Sequence, residues 1–233
     1  MKFTYGLKRG LPIALGYLSV SFGFGISAVA MGLAPWQAVL ISLMNVTSAG
    51  QQAGVAVMAA GGAAFEMMLT QLVINIRYSL MGIALTQKLG DKFTFIHRLF
   101  CAFGITDEVF VMAADEKVKL TPAYMYGLIL LPVLGWTLGT ALGAYAGQIL
   151  PFALCAALGL AIYAMFVAIV VPPAKENRGV LSTVLVSVAL SCILYYVPFL
   201  KVHISQGFAI ILCAVISSAL MAWLMPRKEA NDA

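Results

Sequence analysis

Three ionisable side chains stand inside stretches that are otherwise apolar. Arg77 lies in "QLVINIRYSLMGIAL", residues 71–85, and Asp107 and Glu108 lie in "GITDEVF". A charge at the centre of a membrane span costs at least ~3 kcal/mol, so something must compensate for it or use it. The arginine fork could bind the carboxylate of a ligand in bidentate fashion. It could equally form a salt bridge inside a helix bundle with one of the two acids, and the sequence leaves both interpretations open.

The two acids allow two interpretations as well. A carboxylate that is removed from water could take up and release a proton, or it could hold an ammonium group. Alternatively, Thr106 followed by two acids is an ordinary signal for the start of a helix. Asn75 belongs with Arg77 to the candidate substrate site. The two-residue spacing places it on another helix face, however, where we expect it to bond a neighbouring helix.

A polar interruption divides the apolar stretch "LMNVTSAGQQAGVAVM", residues 43–58. Glycine weakens a helix, and serine and threonine hydroxyls offer its backbone alternative hydrogen bonds. The sequence therefore predicts a helix broken at mid-membrane, where a half-helix N-terminus could hold a carboxylate. A simple kink with satisfied polar groups is the alternative. The candidate binding residues here are Asn45, Thr47, Ser48, Gly50 and Gln51.

Composition places the chain in a membrane. The 233 residues are 62% hydrophobic and 10% charged, whereas a soluble domain carries roughly 25% charge. We therefore expect an all-α polytopic membrane protein that forms a single integral domain, residues 1–233. The net charge of +5 fits basic residues flanking spans rather than a nucleic-acid surface. Enzyme motifs, cofactor motifs and metal-ligand clusters are absent from the sequence, so we expect no enzyme, cofactor or metal.

Hydropathy predicts eight segments, with short polar connectors between them. The second half resembles the first at a shift of about 116 residues, which suggests two four-span halves, 1–119 and 120–233. The predicted segments are 11–31, 35–62, 67–86, 93–114, 123–147, 151–173, 180–198 and 206–225.

Charge placement predicts a cytoplasmic N-terminus and C-terminus, because basic residues concentrate on the cytoplasmic side. With eight crossings, nine basic residues lie inside: Lys2, Lys8, Arg9, Lys117, Lys119, Lys175, Arg178, Arg227 and Lys228. Four lie outside: Lys88, Lys92, Arg98 and Lys201. If segment 93–114 did not cross, the count would become four inside against nine outside. We therefore expect an even number of crossings.

The fifth segment carries glycines at four-residue spacing, which form one smooth helix face. Such a face allows another backbone to approach closely, either from this chain or from another subunit. The predicted helix-packing residues are Gly135, Gly139, Gly143 and Gly147.

Other residues near the predicted span ends are expected to have no chemical role. Glu66 is expected to face water at the inner surface. Aromatic side chains anchor spans at the membrane interface, and this is the role predicted for Tyr5, Tyr17, Trp36 and Trp223.

Four stretches in order resemble the AzlC-like large subunit of bacterial branched-chain amino acid exporters. They are Gly10-x-Pro12-x3-Gly16-Tyr17 followed by Phe22-Gly23, then Thr47-Ser48-Ala49-Gly50-Gln51, then Asn75-x-Arg77-x2-Leu80, and finally Thr106-Asp107-Glu108-x-Phe110. The chain departs from the family at Tyr78 and Met81, where a histidine and a tyrosine are expected in many members.

The resemblance implies a transporter of the bacterial inner membrane. Its substrates would be leucine, isoleucine, valine or related apolar amino acids, exported from the cytoplasm with energy from the proton gradient. Its partner would be a small membrane subunit of the AzlD type. A passive channel, or a carrier for another small polar solute, is the alternative function, and a scaffold subunit that packs through the glycine face is a third.

Overall fold

The computed structural model of the protein describes residues 1–147 and 170–225, together with 149, 153, 160, 164 and 167. The predicted all-helical class is confirmed for these residues. Their labelled helices are α1 (Phe3–Ala30), α2 (Pro35–Met44), α3 (Ala49–Ala59), α4 (Ala64–Thr86), α5 (Phe95–Phe103), α6 (Asp107–Asp115), α7 (Pro122–Ala146), α8 (Arg178–Tyr196), α9 (Pro198–His203) and α10 (Gln206–Leu224). Residues 170–176 are helical as well.

Five of the described helices are long and apolar enough to cross a membrane, namely α1, α4, α7, α8 and α10. The protein is therefore a helical membrane protein. The second and fourth predicted segments are each divided into two shorter helices, α2 with α3 and α5 with α6. The sixth predicted segment, 151–173, lies largely outside the described residues. The described helices thus do not confirm eight crossings, and the internal repeat stays a prediction.

The chain separates into two compact units. The first comprises residues 1–55 and 75–163, and the second comprises residues 56–74 and 164–233. The first unit contains α1, α2, α5, α6 and α7 in full. The second contains α8, α9 and α10, and its largest described contact joins α8 to α10.

The first unit is built on the contact between α1 and α7. A Cβ atom added at Gly135, Gly139 or Gly143 would overlap backbone atoms of α1, and Gly147 faces a side chain of α1. The residues met in turn are Ala14, Leu18, Phe22 and Ile26. The residue numbers increase in the same direction along α7 and along α1, so the two helices run parallel. The glycine face of α7 therefore packs against a helix of the same chain.

The ends of the fourth segment lie side by side. The Gly90 N–H donates to the Leu120 carbonyl at 3.0 Å, and the Leu120 N–H donates to the Lys88 carbonyl at 2.8 Å. A straight helix over 93–114 would instead separate its ends by about 30 Å. α5 and α6 therefore form a hairpin that returns to its starting side. The expectation that this segment crosses as one span is wrong, because Gly104 and the Thr106 cap reverse the chain inside it.

Candidate functional site

The predicted break in the second segment is present between α2 and α3. Asn45 ends α2 in an extended conformation, with φ −154° and ψ 109°, and Ser48 adopts a left-handed conformation, with φ +48°. The Gly50 N–H closes the turn on the Thr47 carbonyl at 3.2 Å. Thr47 Oγ1 and Ser48 Oγ are buried and have no hydrogen-bond partner within the described residues. The break therefore contains two hydroxyl groups that can still bind a ligand.

Gln51 holds the break against α7. Its Oε1 accepts a hydrogen bond from Trp136 Nε1 at 2.8 Å, and its Nε2 donates to Ser42 Oγ at 2.9 Å. Ser42 in turn contacts Thr140 Oγ1 at 2.7 Å, and the Ser48 N–H lies 3.3 Å from Gln51 Oε1. Gln51 is only 2% exposed. Gln51, which the sequence predicts to bind substrate, therefore uses its side chain to position the α2–α3 turn.

The turn between α5 and α6 places a second polar group beside α1. Thr106 caps α6 as the sequence predicts, accepting the Val109 N–H at 3.4 Å. The Tyr17 hydroxyl lies 2.7 Å from Thr106 Oγ1 and also hydrogen-bonds the Glu108 carboxylate. Because a phenol has one proton, Tyr17 donates to the carboxylate and accepts from the threonine. Helix capping and carboxylate positioning therefore occur together in this turn.

Tyr17 corrects an expectation from the sequence. It was expected to anchor a span end at the membrane interface, but it is only 6% exposed and contacts the α5–α6 turn. The reason is that α1 begins at Phe3, well before the apolar run, so that Tyr17 lies near the middle of a 28-residue helix.

Arg77 of α4 pairs with Asp107 at the start of α6. The distance from Nη1 to the carboxylate Oδ2 is 2.8 Å. The guanidinium also donates to the Tyr78 hydroxyl at 3.1 Å and lies 4.8 Å from the centre of the Tyr78 ring. Its Nε is buried without a partner in the described part of the chain. Asp107 thus compensates the charge of Arg77, and the guanidinium keeps N–H groups for another anion.

The Tyr17 and Trp136 rings connect the two turns. Their centroids lie 5.2 Å apart in an edge-to-face arrangement, so the Gln51 group and the Glu108 group form one continuous cluster. Neither ring was expected from the sequence to have a chemical role. Tyr17 could have been found from its place in the first motif, whereas Trp136 carries no signal apart from following Gly135. Asn75 is half-buried in α4, two positions before Arg77.

An apolar cleft of about 300 Å³ opens in the same unit. Two of its lining residues are close in sequence to the residues of the ion pair. Ser79 follows Tyr78 on α4, and Ile105 precedes Thr106 in the α5–α6 turn. Its apolar walls are formed by Ile83, Leu85, Leu89, Phe93, Cys101, Ala102, Ile105 and Met125.

Glu66 also corrects an expectation. It was expected to face water, but it is 6% exposed and lies in the second unit, where Ser205 and the Gly207 N–H bind it. The position near the start of α4 had suggested exposure, because the sequence does not show that the start of α10 covers it.

The fold and the site define a multi-helix membrane protein with a charge pair next to a broken helix. The family model described as AzlC protein matches residues 12–150, and the chain belongs to this family. This confirms the resemblance found from the four motifs. Membership is consistent with a transporter.

Two relatives are membrane proteins by name. Inner membrane protein YgaZ of Escherichia coli (strain K12) is 29% identical over 230 residues, covering 95% of this chain and 91% of that protein. An uncharacterized membrane protein of Archaeoglobus fulgidus is 31% identical over 178 residues, covering 76% of this chain and 78% of that protein. No solved structure matches the chain significantly.

Proposed function

We propose that the protein is the large subunit of a two-component secondary transporter of the bacterial inner membrane. It exports valine, leucine, isoleucine or related apolar amino acids from the cytoplasm and is driven by the proton gradient. A small membrane subunit of the AzlD type completes it. The observation that carries the proposal is the Arg77–Asp107 pair, with its remaining guanidinium N–H groups, beside a broken helix.

The guanidinium is the receptor for the substrate carboxylate. Arginine binds carboxylates through two parallel N–H donors, and the Arg77 Nε is a buried donor without a partner in the described residues. The start of α3 follows the unpartnered hydroxyls of Thr47 and Ser48 and supplies the positive end of a short helix dipole. Each of these groups favours a small anion.

The ammonium group and the side chain of an amino acid need different surroundings. Glu108 is oriented by Tyr17 and supplies a negative charge for the ammonium. The apolar cleft of the same unit is suited to a branched aliphatic side chain, whose burial contributes about 1.5–3 kcal/mol. A zwitterion with an apolar side chain therefore finds a complementary group for each of its parts.

The same geometry suggests how a proton is coupled. The substrate ammonium binds Glu108 only while that carboxylate carries its negative charge, so the substrate and a proton compete for Glu108. Binding of one therefore excludes the other. The protein exchanges an entering proton for a departing amino acid, as an exporter driven by the proton gradient requires.

The test is valine efflux from cells that express both subunits and are loaded with valine-containing dipeptides. Arg77→Ala should lower efflux by at least about 100-fold, because the site loses its anion-binding group. Arg77→Lys should retain a small part, since the charge persists without the fork. Arg178→Ala, an exposed arginine at the start of α8, is the matched control and should leave efflux unchanged.

Two results would contradict the proposal. The first is full efflux by an Arg77→Ala protein that is inserted at normal levels. The second is efflux that persists unchanged after the proton gradient is collapsed, which would indicate a passive channel or carrier.

A further inference from the structure

The second unit holds a buried carboxyl group that the proposed transport site does not use. Glu66, in the first turn of α4, is 6% exposed. Its Oε1 accepts hydrogen bonds from Ser205 Oγ at 2.5 Å and from the Gly207 N–H at 2.9 Å. Both donors belong to the N-terminus of α10, for which Ser205 is the N-cap.

Thr70 supplies a second, independent observation. It is fully buried, and its Oγ1 has no hydrogen-bond partner in the described part of the chain. A Cβ atom added at Gly207 would lie 2.5 Å from Glu66 Oε1 and 2.7 Å from Thr70 Oγ1. The unpartnered hydroxyl therefore points to the same small space as the carboxyl group, and Gly207 leaves that space open.

The other carboxyl oxygen lies beside the turn that follows α3. A Cβ atom added at Gly62 would be 3.0 Å from both Glu66 Oε2 and the Val57 carbonyl oxygen. One oxygen of Glu66 thus faces hydrogen-bond donors, while the other lies towards the turn that contains Gly62.

Nothing among the described residues neutralises Glu66 by charge. No arginine, lysine or histidine nitrogen of these residues lies within 4 Å of its carboxylate. The turn over residues 57–63 carries no titratable group. The two titratable residues that directly precede α10 in the sequence make other contacts. Lys201 lies over the Tyr195 ring at 4.5 Å, and His203 Nδ1 contacts the Phe199 carbonyl at 2.7 Å.

This environment accommodates both protonation states. The donated hydrogen bonds and the positive end of α10 stabilise the carboxylate. The neutral acid keeps both bonds on Oε1, because a carbonyl oxygen accepts hydrogen bonds as well. A metal ion is disfavoured, because the Gly207 N–H and the helix N-terminus direct positive charge at the site. Ser205 is exposed at the start of α10.

We propose that Glu66, with Thr70, Ser205 and Gly207, is a proton-exchange site that binds and releases a proton during each transport cycle. This inference rests on the proposed function and adds a second protonatable carboxyl group to it. Glu108 exchanges its proton for the substrate ammonium, whereas Glu66 exchanges its proton at the start of α10 without contacting substrate.

The test uses the complete two-subunit complex in liposomes and two transport assays. Valine counterflow requires no net proton movement, whereas accumulation driven by a pH gradient does. Glu66→Gln mimics the neutral acid, and it should keep counterflow while losing gradient-driven accumulation by at least about tenfold. Glu66→Asp should recover part of the accumulation. Glu176→Gln, at an exposed glutamate, is the matched control and should change neither assay.

The two assays separate a proton role from a structural one. Glu66→Gln with both activities intact overturns the inference and leaves the proposed transport function standing. Equal loss of both activities also overturns it, because a group needed only for folding would act in this way.

Infrared difference spectroscopy of the purified complex decides the question without any substrate. A pH titration should show a carboxylic acid band that Glu66→Gln removes. If wild-type protein moves no valine, the proposed function fails, and this band alone confirms or overturns the proton site. Absence of the band, or stabilisation of the complex by Na⁺ in place of a proton, overturns it.

Discussion

Tyr17 links the charged residues of the site to the broken helix. Its hydroxyl holds Glu108, and its ring meets the edge of Trp136, which bonds Gln51. A carboxylate is oriented most firmly when a donor with few rotatable bonds holds it, and the phenol meets this condition. If Glu108 binds the substrate ammonium as proposed, Tyr17 sets the direction in which the carboxylate faces it.

Replacing Tyr17 with phenylalanine should remove this control while keeping the ring. A hydrogen bond to a charged group contributes about 1.5–3 kcal/mol, so Tyr17→Phe should lower the midpoint of thermal unfolding measurably in detergent. Valine efflux should fall about tenfold or more, because Glu108 loses its orientation. Tyr145→Phe is the control, since Tyr145 is 55% exposed. Wild-type stability and efflux in Tyr17→Phe would contradict the assigned hydrogen bonds.

At this scale the sequence predicts the charged residues better than their supports. Arg77, Asp107 and Glu108 stand out because charge is expensive in an apolar stretch. Tyr17 and Trp136 do not stand out, because an aromatic residue in such a stretch faces lipid or the core in most helices. Thr106 contacts Tyr17 only because the chain reverses at Gly104. Residue spacing along a single helix does not predict that contact.

The α1–α7 contact is the main packing element of the first unit. Glycines from both helices allow it: Gly6, Gly10 and Gly25 of α1 meet the backbone of α7 in the same way as Gly135, Gly139 and Gly143 meet the backbone of α1. Close backbone approach increases dispersion contacts where lipid provides no hydrophobic driving force.

Adding one methyl group to a glycine in this contact should destabilise the protein, whereas adding one to a glycine outside the contact should not. Gly139→Ala should reduce the fraction of protein that is folded after extraction in detergent, because its Cβ would overlap the Leu18 backbone. Gly82→Ala is the control: a Cβ there meets nothing within 4 Å, and alanine favours a helix by about 1 kcal/mol over glycine. Size-exclusion chromatography and thermal unfolding measure both. Equal stability of the two variants would contradict the proposed role of the contact.

The four-residue glycine spacing predicts that α7 has a packing face, but it does not name the partner helix. The glycines of α1 follow no single spacing, so the complementary face is hidden in the sequence. The α5–α6 hairpin is hidden for another reason. Hydropathy counts apolar residues and carries no information on chain direction, so a returning pair of helices looks like one span.

For the whole chain, the returning fourth segment changes the charge count. If every other segment crossed, four basic residues would lie inside and nine outside, against the positive-inside rule. The positive-inside rule is satisfied if segment 35–62 also turns back to the side of the membrane on which it starts. Twelve basic residues then lie inside, and Lys201 is the basic residue left outside. α2 and α3 have 10 and 11 residues, which are individually too short to span.

We therefore expect six crossings with both termini in the cytoplasm. Single cysteines in a cysteine-free protein, labelled with a membrane-impermeant reagent, test this. Lys92→Cys and Lys119→Cys should react from the cytoplasmic side, and Leu33→Cys and Ala60→Cys from the opposite side. Eight crossings would instead place Lys92 and Lys119 on different sides. That result would contradict the hairpin formed by α5 and α6.

The backbone contacts between α1 and α7 also limit how such a molecule could move. Where glycines bring two backbones together, no layer of side chains is left to change rotamers, so sliding one helix along the other would cause collisions at every turn. This pair therefore forms a rigid frame within the first unit. Any movement within that unit falls more easily on the short helices attached to the frame, which end at the breaks between α2 and α3 and between α5 and α6.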